Sequence, residues 1–284
     1  MHPARRLWSR TEPCHAVVYF SPEPRSAFEA VGLRGFWRGY FAGRAAPLGA
    51  VGAAPVTACF YGFSPGFVAR ALPSIWALTT PVRALEARVE GADAALRRLL
   101  DVDALHDTID EAARLLEDGL RACDPAGRPL YAGNAALPWP EDPVARLWHA
   151  TTLLREHRGD GHVAALLTAG LDPCEAHVTQ VAATGVTVDT IQPYRGWADE
   201  DWDAATRRLV ARGWMTDAGQ LTDDGRAGRD AVEEATDRLA AAPVERLGAE
   251  RVKRLCALLE PIVTALVEAG ELPYPNPIGV PRPD

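Results

Sequence analysis

Apolar residues recur at the 3.6-residue helical period through almost the whole chain, and that spacing restricts it to a mainly α fold. Leu85, Val89, Ala92, Leu96 and Leu99 share one face of a long helix ending near Leu100, and a further helix is predicted over about 102–123. Helix starts are marked by a capping residue followed by proline, at Ser21-Pro22, Ser64-Pro65 and Asp172-Pro173. The side-chain oxygen there can accept a free backbone N–H, and proline fits the first helical position, where its missing N–H is not needed. Pro13 predicts a kink or break in the first helix, over 4–20. Residues 124–142 hold four prolines and little periodicity, which suits a linker or an ordered loop between a helical region at 1–123 and a second one at 143–284.

Charge and aromatic residues are distributed unevenly. The 284 residues carry a net charge of -8, yet residues 1–100 hold 12 arginines against 6 acids and the remainder 18 basic against 32 acidic residues. All seven phenylalanines lie in the first 67 residues, so the two halves are expected to do different work. Five scattered cysteines without a CxxC pair argue against a disulfide framework or a cysteine zinc site. No apolar run reaches the roughly 18–20 residues of a membrane span, and MHPARRLWSRTEPCH lacks the apolar core of a secretory signal. A cytoplasmic protein with no membrane partner is the expectation.

The second half has a specific order. A short helix over 172–185 is followed by VTVDTIQPYR, by a longer helix over 198–213, by two short apolar runs around Asp217-Ala218-Gly219, and by a long helix from about Thr222 to Ala241. The Asp-Ala-Gly segment is a β-hairpin signal. Helix, helix, longer helix, hairpin, helix is the order of a winged helix-turn-helix. LVARGWMTDAGQLTDDGRAGRDAVEEATDRL (209–239) resembles the third helix, wing and following helix of MarR-type regulators. More broadly, FWRGYFAGRAAPLGAVGAAPVTACFYGFSP (36–65), LWHATTLLREHRGDGHVAALL (147–167) and the winged segment resemble an actinobacterial group described as helix-turn-helix proteins. The resemblance implies a mainly α fold with a helical N-terminal half, a MarR-like winged-helix C-terminal half and a small β-hairpin wing.

DNA binding through this motif meets an electrostatic obstacle. The helix expected to enter the major groove opens Asp199-Glu200-Asp201-Trp202-Asp203, and the wing carries Asp217, Asp223 and Asp224 with no basic residue between Arg212 and Arg226. Phosphate neutralisation supplies much of DNA affinity, so carboxylates at the tip of such a helix oppose it.

Two clusters are candidate sites. In Arg155–His162, two histidines, two arginines and two acids surround two glycines; His157, Asp160 and His162 are the candidate acid–base residues. The same residues also suit a plainer role, with Arg155 to Arg158 ending one helix and Asp160 capping the next. His157 and His162 are not spaced for a metal and no third ligand is evident, so no metal is expected. In the first half, Arg38 and Arg44 stand among Trp37 and Tyr40, followed by Phe60 and Tyr61. This pattern suits an apolar pocket with cationic anchors for a small aromatic or anionic molecule, and equally an aromatic core with surface arginines. Glu12 and His15 share a helical face and can add an acid–base pair. No Gly-rich phosphate loop or GxSxG motif is present, and no cofactor is expected.

The expected function is a small-molecule-binding protein on a winged-helix scaffold that has lost DNA binding; a cofactor-independent enzyme of specialised metabolism is one form this can take, and the sequence leaves open whether catalysis occurs. The alternative is a MarR-like ligand-responsive regulator. The apolar stripe Leu255, Leu258, Leu259, Ile262, Val263 and Leu266 exceeds what a lone terminal helix needs and predicts a homodimer.

Overall fold

The computed structural model describes residues 1–283. The chain forms α1 (Pro3–Phe20), α2 (Pro22–Ala30), α3 (Phe36–Ala45), α4 (Ala53–Phe60), α5 (Pro65–Ala69), α6 (Pro81–Leu99), α7 (His106–Leu120), α8 (Pro129–Ala135), α9 (Pro143–Thr168), α10 (Pro173–Thr184), α11 (Val188–Arg195), α12 (Asp199–Ala211), α13 (Asp223–Leu239) and α14 (Ala242–Glu268). Two short 3₁₀ turns lie at Ala46–Leu48 and Ser74–Ala77. The cap-and-proline signals start helices as expected. Ser64 accepts from the Phe67 N–H, and Asp172 forms a capping box with Glu175 at the head of α10.

Three apolar clusters organise the packing. The largest joins α1, α6, α7, the first half of α9 and α14, with Trp148 and Leu147 at its centre. A second gathers Phe28, Phe41, Phe60, Phe63 and Phe67 from α2 to α5. The third, around Leu166, Leu171, Leu209 and Leu221, holds α10, α12 and α13 together. Helix α9 belongs to both the first and the third cluster, so one 26-residue helix spans the two halves. Among the described residues no helix is long and apolar enough to cross a membrane.

Several expectations are corrected. The MarR-like winged helix with its β-hairpin wing is absent: the described residues contain no strand, only an isolated antiparallel bridge between Met215 and Leu221. Each arm offers a single buried apolar residue beside exposed polar ones, and α13 begins at Asp223, which leaves too little chain for a ladder. The expected break at Gly159 and Gly161 is also absent, because α9 runs through both. A Cβ at Gly161 would lie 2.9 Å from Arg128 Nη1 and 3.1 Å from Leu239 Cβ, so this glycine admits close packing rather than ending the helix. Helix α1 continues past Pro13.

The segment 124–142 contains α8, whose Leu130 and Tyr131 are buried. The apolar stripe of α14, from which a second copy was expected, is buried within the chain in the cluster shared with α1 and α7.

Candidate functional site

A cleft of about 520 Å³ lies between the α10–α13 helices and the helices packed around α1, α3 and α9. Its walls come from α1, α3, α9 and the Phe60–Phe63 segment on one side, and from α10, α11 and α13 on the other. Residues 277–281 of the C-terminal segment line it as well. That segment is stapled by Asn276, whose amide donates to the Val280 carbonyl at 2.8 Å and accepts from the Val280 N–H at 3.0 Å.

A polar band in the middle of α9 brings Arg155, Glu156 and Arg158 to the cleft, and other helices add further charged residues. Arg44 of α3 grips Glu156 with two N–H groups, Nε at 3.3 Å and Nη2 at 3.0 Å, while its Nη1 donates to the Tyr40 hydroxyl at 3.0 Å. Burial alone would raise the Glu156 carboxyl; the guanidiniums of Arg44 and Arg155 outweigh it and hold Glu156 below the usual carboxylate range. Glu12 of α1 accepts from the Trp8 indole at 3.1 Å and lies 2.9 Å from Arg155 Nε. For Glu12 burial dominates and raises the carboxyl, with Arg155 opposing it in part.

Arg195, the last residue of α11, is different. Its guanidinium lies 4.7 Å from the Phe63 ring centroid and donates to the Pro277 carbonyl. Among the described residues no carboxylate is recorded in an ion pair with it. Burial, and then the positive charges of Arg44 and Arg155, lower its pKa. An arginine half-buried in a cleft with only a neutral carbonyl as partner is poised for an anion.

The structure brings Glu12, Arg44, Tyr40, Phe60, Tyr61 and His162 to this cleft. His162 Nδ1 is 2.9 Å from Thr236 Oγ1, whose own proton goes to the Val232 carbonyl. Nδ1 therefore carries the imidazole proton and Nε2 the lone pair. Burial lowers His162 to about 4, with Glu233 opposing.

The other candidates lie elsewhere. His157 packs edge-on against Tyr131, and burial, then Arg128, lowers it to about 4. Asp160 accepts from the Tyr131 N–H at 2.9 Å, satisfying the start of α8, and burial raises it to about 6. The i, i+5 spacing on a continuous helix turns His157 away from His162. His15 sits behind the cleft wall, bonded to Thr152 at 2.9 Å and Tyr19 at 3.0 Å and stacked on Trp148. Trp37 packs on Phe63 and Phe67, and Arg38 is exposed outside the cleft.

Sequence patterning does not single out Arg195 or His177. Both come from the acidic half and reach the cleft only through long-range packing. His177 Nε2 donates to the Gly62 carbonyl at 2.9 Å, and Trp197 Nε1 donates to the same oxygen at 3.0 Å. Ser64 adds its N–H to the Arg195 carbonyl at 2.9 Å and its hydroxyl to the Gly196 carbonyl at 2.7 Å. The segment that lines the cleft is thus fastened to α10 and to the turn between α11 and α12. Tyr61 within it has φ 52°, a strained value for a non-glycine residue, and its hydroxyl donates to the Leu171 carbonyl.

The model of a helix-turn-helix family matches residues 4–273, nearly the whole chain. The chain belongs to that helix-turn-helix family. Comparison with curated proteins finds no match, nor does comparison with solved structures. Membership suggests a DNA-binding or regulatory role.

In this helix-turn-helix protein α10, α11 and α12 follow one another through left-handed glycines at Gly185 and Gly196. Gly196 has φ 72°, and a Cβ there would collide with the Phe67 side chain, so the turn between α11 and α12 rests against the N-terminal half. The outward end of α12 exposes Asp199, Glu200, Asp201 and Asp203. Arg207 is exposed on this helix, whereas Arg208 and the following Arg212 are engaged. Arg208 binds Glu175 at 2.8 Å and also Asp172, and Arg212 just beyond α12 donates to the carbonyls of Gly170 and Ala169 while lying over Trp214.

Proposed function

We propose that this helix-turn-helix protein binds a small organic anion with an aromatic or unsaturated body in its cleft, and that the helix-turn-helix serves there as scaffold rather than as a reader of DNA. Arg195 carries the reading: a cleft-lining guanidinium stacked on Phe63, without a carboxylate partner among the described residues. Arg44 and Arg155 add positive charge, Tyr40, Phe60 and Tyr61 supply ring surface, and Glu12 and His162 are the groups available for acid–base work. The acidic end of α12 supports the scaffold role, since it would repel phosphate.

Titration calorimetry with benzoate, 2-naphthoate and neutral benzamide tests the proposal. Saturable 1:1 binding of the acids is expected, with benzamide and the Arg195→Gln variant each at least about tenfold weaker. Equal binding of acid and amide would contradict it.

A second reading is a ligand-responsive DNA regulator. It is favoured by family membership and by the Phe60–Ser64 segment, which lines the cleft and bonds to the helix-turn-helix at once. Salt-sensitive, sub-micromolar binding to its own upstream DNA, relieved by a cleft ligand, would select this reading over the scaffold role.

A further inference from the structure

Glu12 and Glu156 lie in the same cleft on either side of one guanidinium. Arg155 Nε is 2.9 Å from Glu12 Oε1, and Arg155 Nη1 is 3.7 Å from Glu156 Oε1. Both carboxyls are withdrawn from water, with side chains 3% and 4% exposed. Their partners are unequal. Glu156 receives two guanidinium N–H groups from Arg44. Glu12 receives one neutral indole N–H from Trp8 and the proximity of Arg155, but the Arg155 Nε proton is not aligned on it and has no hydrogen-bond partner. A buried carboxylate held by a nearby, unaligned cation loses much of that support when a further anion draws the cation away.

The surrounding charges do not replace Arg155. Arg5 of α1 and Arg158 of α9 are both turned to Asp237 and Glu233 of α13. On the remaining sides Glu12 is faced by Arg44 of α3 and Glu156 of α9, and Tyr19 of α1 and Arg195 of α11 belong to the same charged group. Within this group Arg44, Arg88, Arg155 and Arg195 stand against Glu12 and Glu156. A ligand carboxylate drawn to Arg155 and Arg195 competes with Glu12 for the cation that, among the described residues, forms an ion pair with it.

We propose that the cleft binds its organic anion together with a proton, and that the Glu12 carboxyl takes that proton. The step is balanced: one anion and one proton enter, the Glu12 carboxylate becomes a carboxylic acid, and Arg155 is released to the ligand. The acid can then donate a hydrogen bond to the ligand beside it. Burial already tilts Glu12 this way and Glu156 the other, a separation of two neighbouring carboxyls of the kind that assigns one as acid and the other as fixed anion. The ligand class is therefore weak organic acids, bound more tightly as pH falls, by at most about tenfold per pH unit.

The inference rests on the cleft reading above, and one experiment separates the two. Benzoate is titrated calorimetrically at a fixed pH near 6.5 in buffers of different ionisation enthalpy, which yields the number of protons taken up. The wild-type protein should take up a substantial fraction of a proton. Glu12→Gln, which keeps an acceptor for Trp8, should bind benzoate at least as well with no uptake. In wild type, the ¹³C carboxyl signal of Glu12 should move toward its protonated position when benzoate is added, a readout that does not depend on the variant folding. Benzoate binding without proton uptake, or unchanged uptake in Glu12→Gln, would overturn the inference and leave the cleft reading standing. Failure of benzoate to bind at all would overturn both.

Discussion

The cleft and the outward end of α12 separate charge in opposite ways. In the cleft, Arg44 and Arg155 share the carboxyls of Glu12 and Glu156, while the Arg195 guanidinium has a carbonyl for a partner. On α12, four carboxylates point to solvent while Arg208 is tied to Glu175 and Asp172. Unbalanced charge is cheap to keep on an exposed helix end and expensive inside a cleft. The acids of α12 are thus accounted for by stabilising the start of their helix. Arg195, by contrast, has no carboxylate partner among the described residues, and the proposed anion would take that place.

Acid should break this arrangement most severely. Burial is the leading cause that lowers His149, His157, His162 and His177 to about 4, and it lowers His15 well below its ordinary value too. A histidine depressed from its ordinary 6.5 contributes stability that is present above that value and lost as pH falls toward 4. Asp160, raised to about 6, and Glu12, raised by burial, act in the opposite sense, gaining stability as pH falls, but they are two groups against five. The urea midpoint should fall steeply between pH 6.5 and 4.5, and a flat profile would show that these imidazoles are hydrated.

Two substitutions compare a paired arginine with an unpaired one. Glu156→Ala strands Arg44 in a buried site and should cost about 3–5 kcal/mol of unfolding free energy. Arg195→Met removes a cation that has no carboxylate partner, so stability should be unchanged or slightly higher while anion binding is lost. Equal destabilisation by the two, measured by urea unfolding, would mean that Arg195 is structural.

Gly196→Ala forces a side chain into a left-handed turn against Phe67 and should cost about 1–3 kcal/mol, with faster hydrogen exchange in residues 60–67 and α11. The smallest effect is expected on α12. Neutralising Asp199, Glu200 and Asp203 together should raise non-specific DNA binding a few-fold at low salt and negligibly at physiological salt, as read by fluorescence anisotropy.

What was legible in the sequence follows from how local each signal is. Caps at Ser64 and Asp172 act within one turn, and they start helices where expected. Asp217-Ala218-Gly219 is also a local signal, but a strand needs a partner along its whole length, and Met215 and Leu221 provide one bridge. Gly159 and Gly161 look like a break until Arg128 and Leu239 are packed against the helix, and that contact is tertiary. The α14 stripe reads as a homodimer surface, but its partners are α1 and α7 of the same chain.

In the site, Arg44, Tyr40, Phe60 and Tyr61 were visible as an arginine–aromatic pattern. Arg195 was not, because nothing within VTVDTIQPYR distinguishes a cleft guanidinium from a surface one. Its position depends on how Ser64 and Phe67 seat the α11–α12 turn.

The most direct test is to soak crystals with 4-bromobenzoate and locate the bromine by anomalous scattering. The predicted result is a single strong peak in the cleft, with carboxylate density against Arg195 and Arg155 and the ring against the Phe60–Phe63 segment. A cleft without bromine, in crystals whose packing leaves it open and at saturating ligand, would contradict the account.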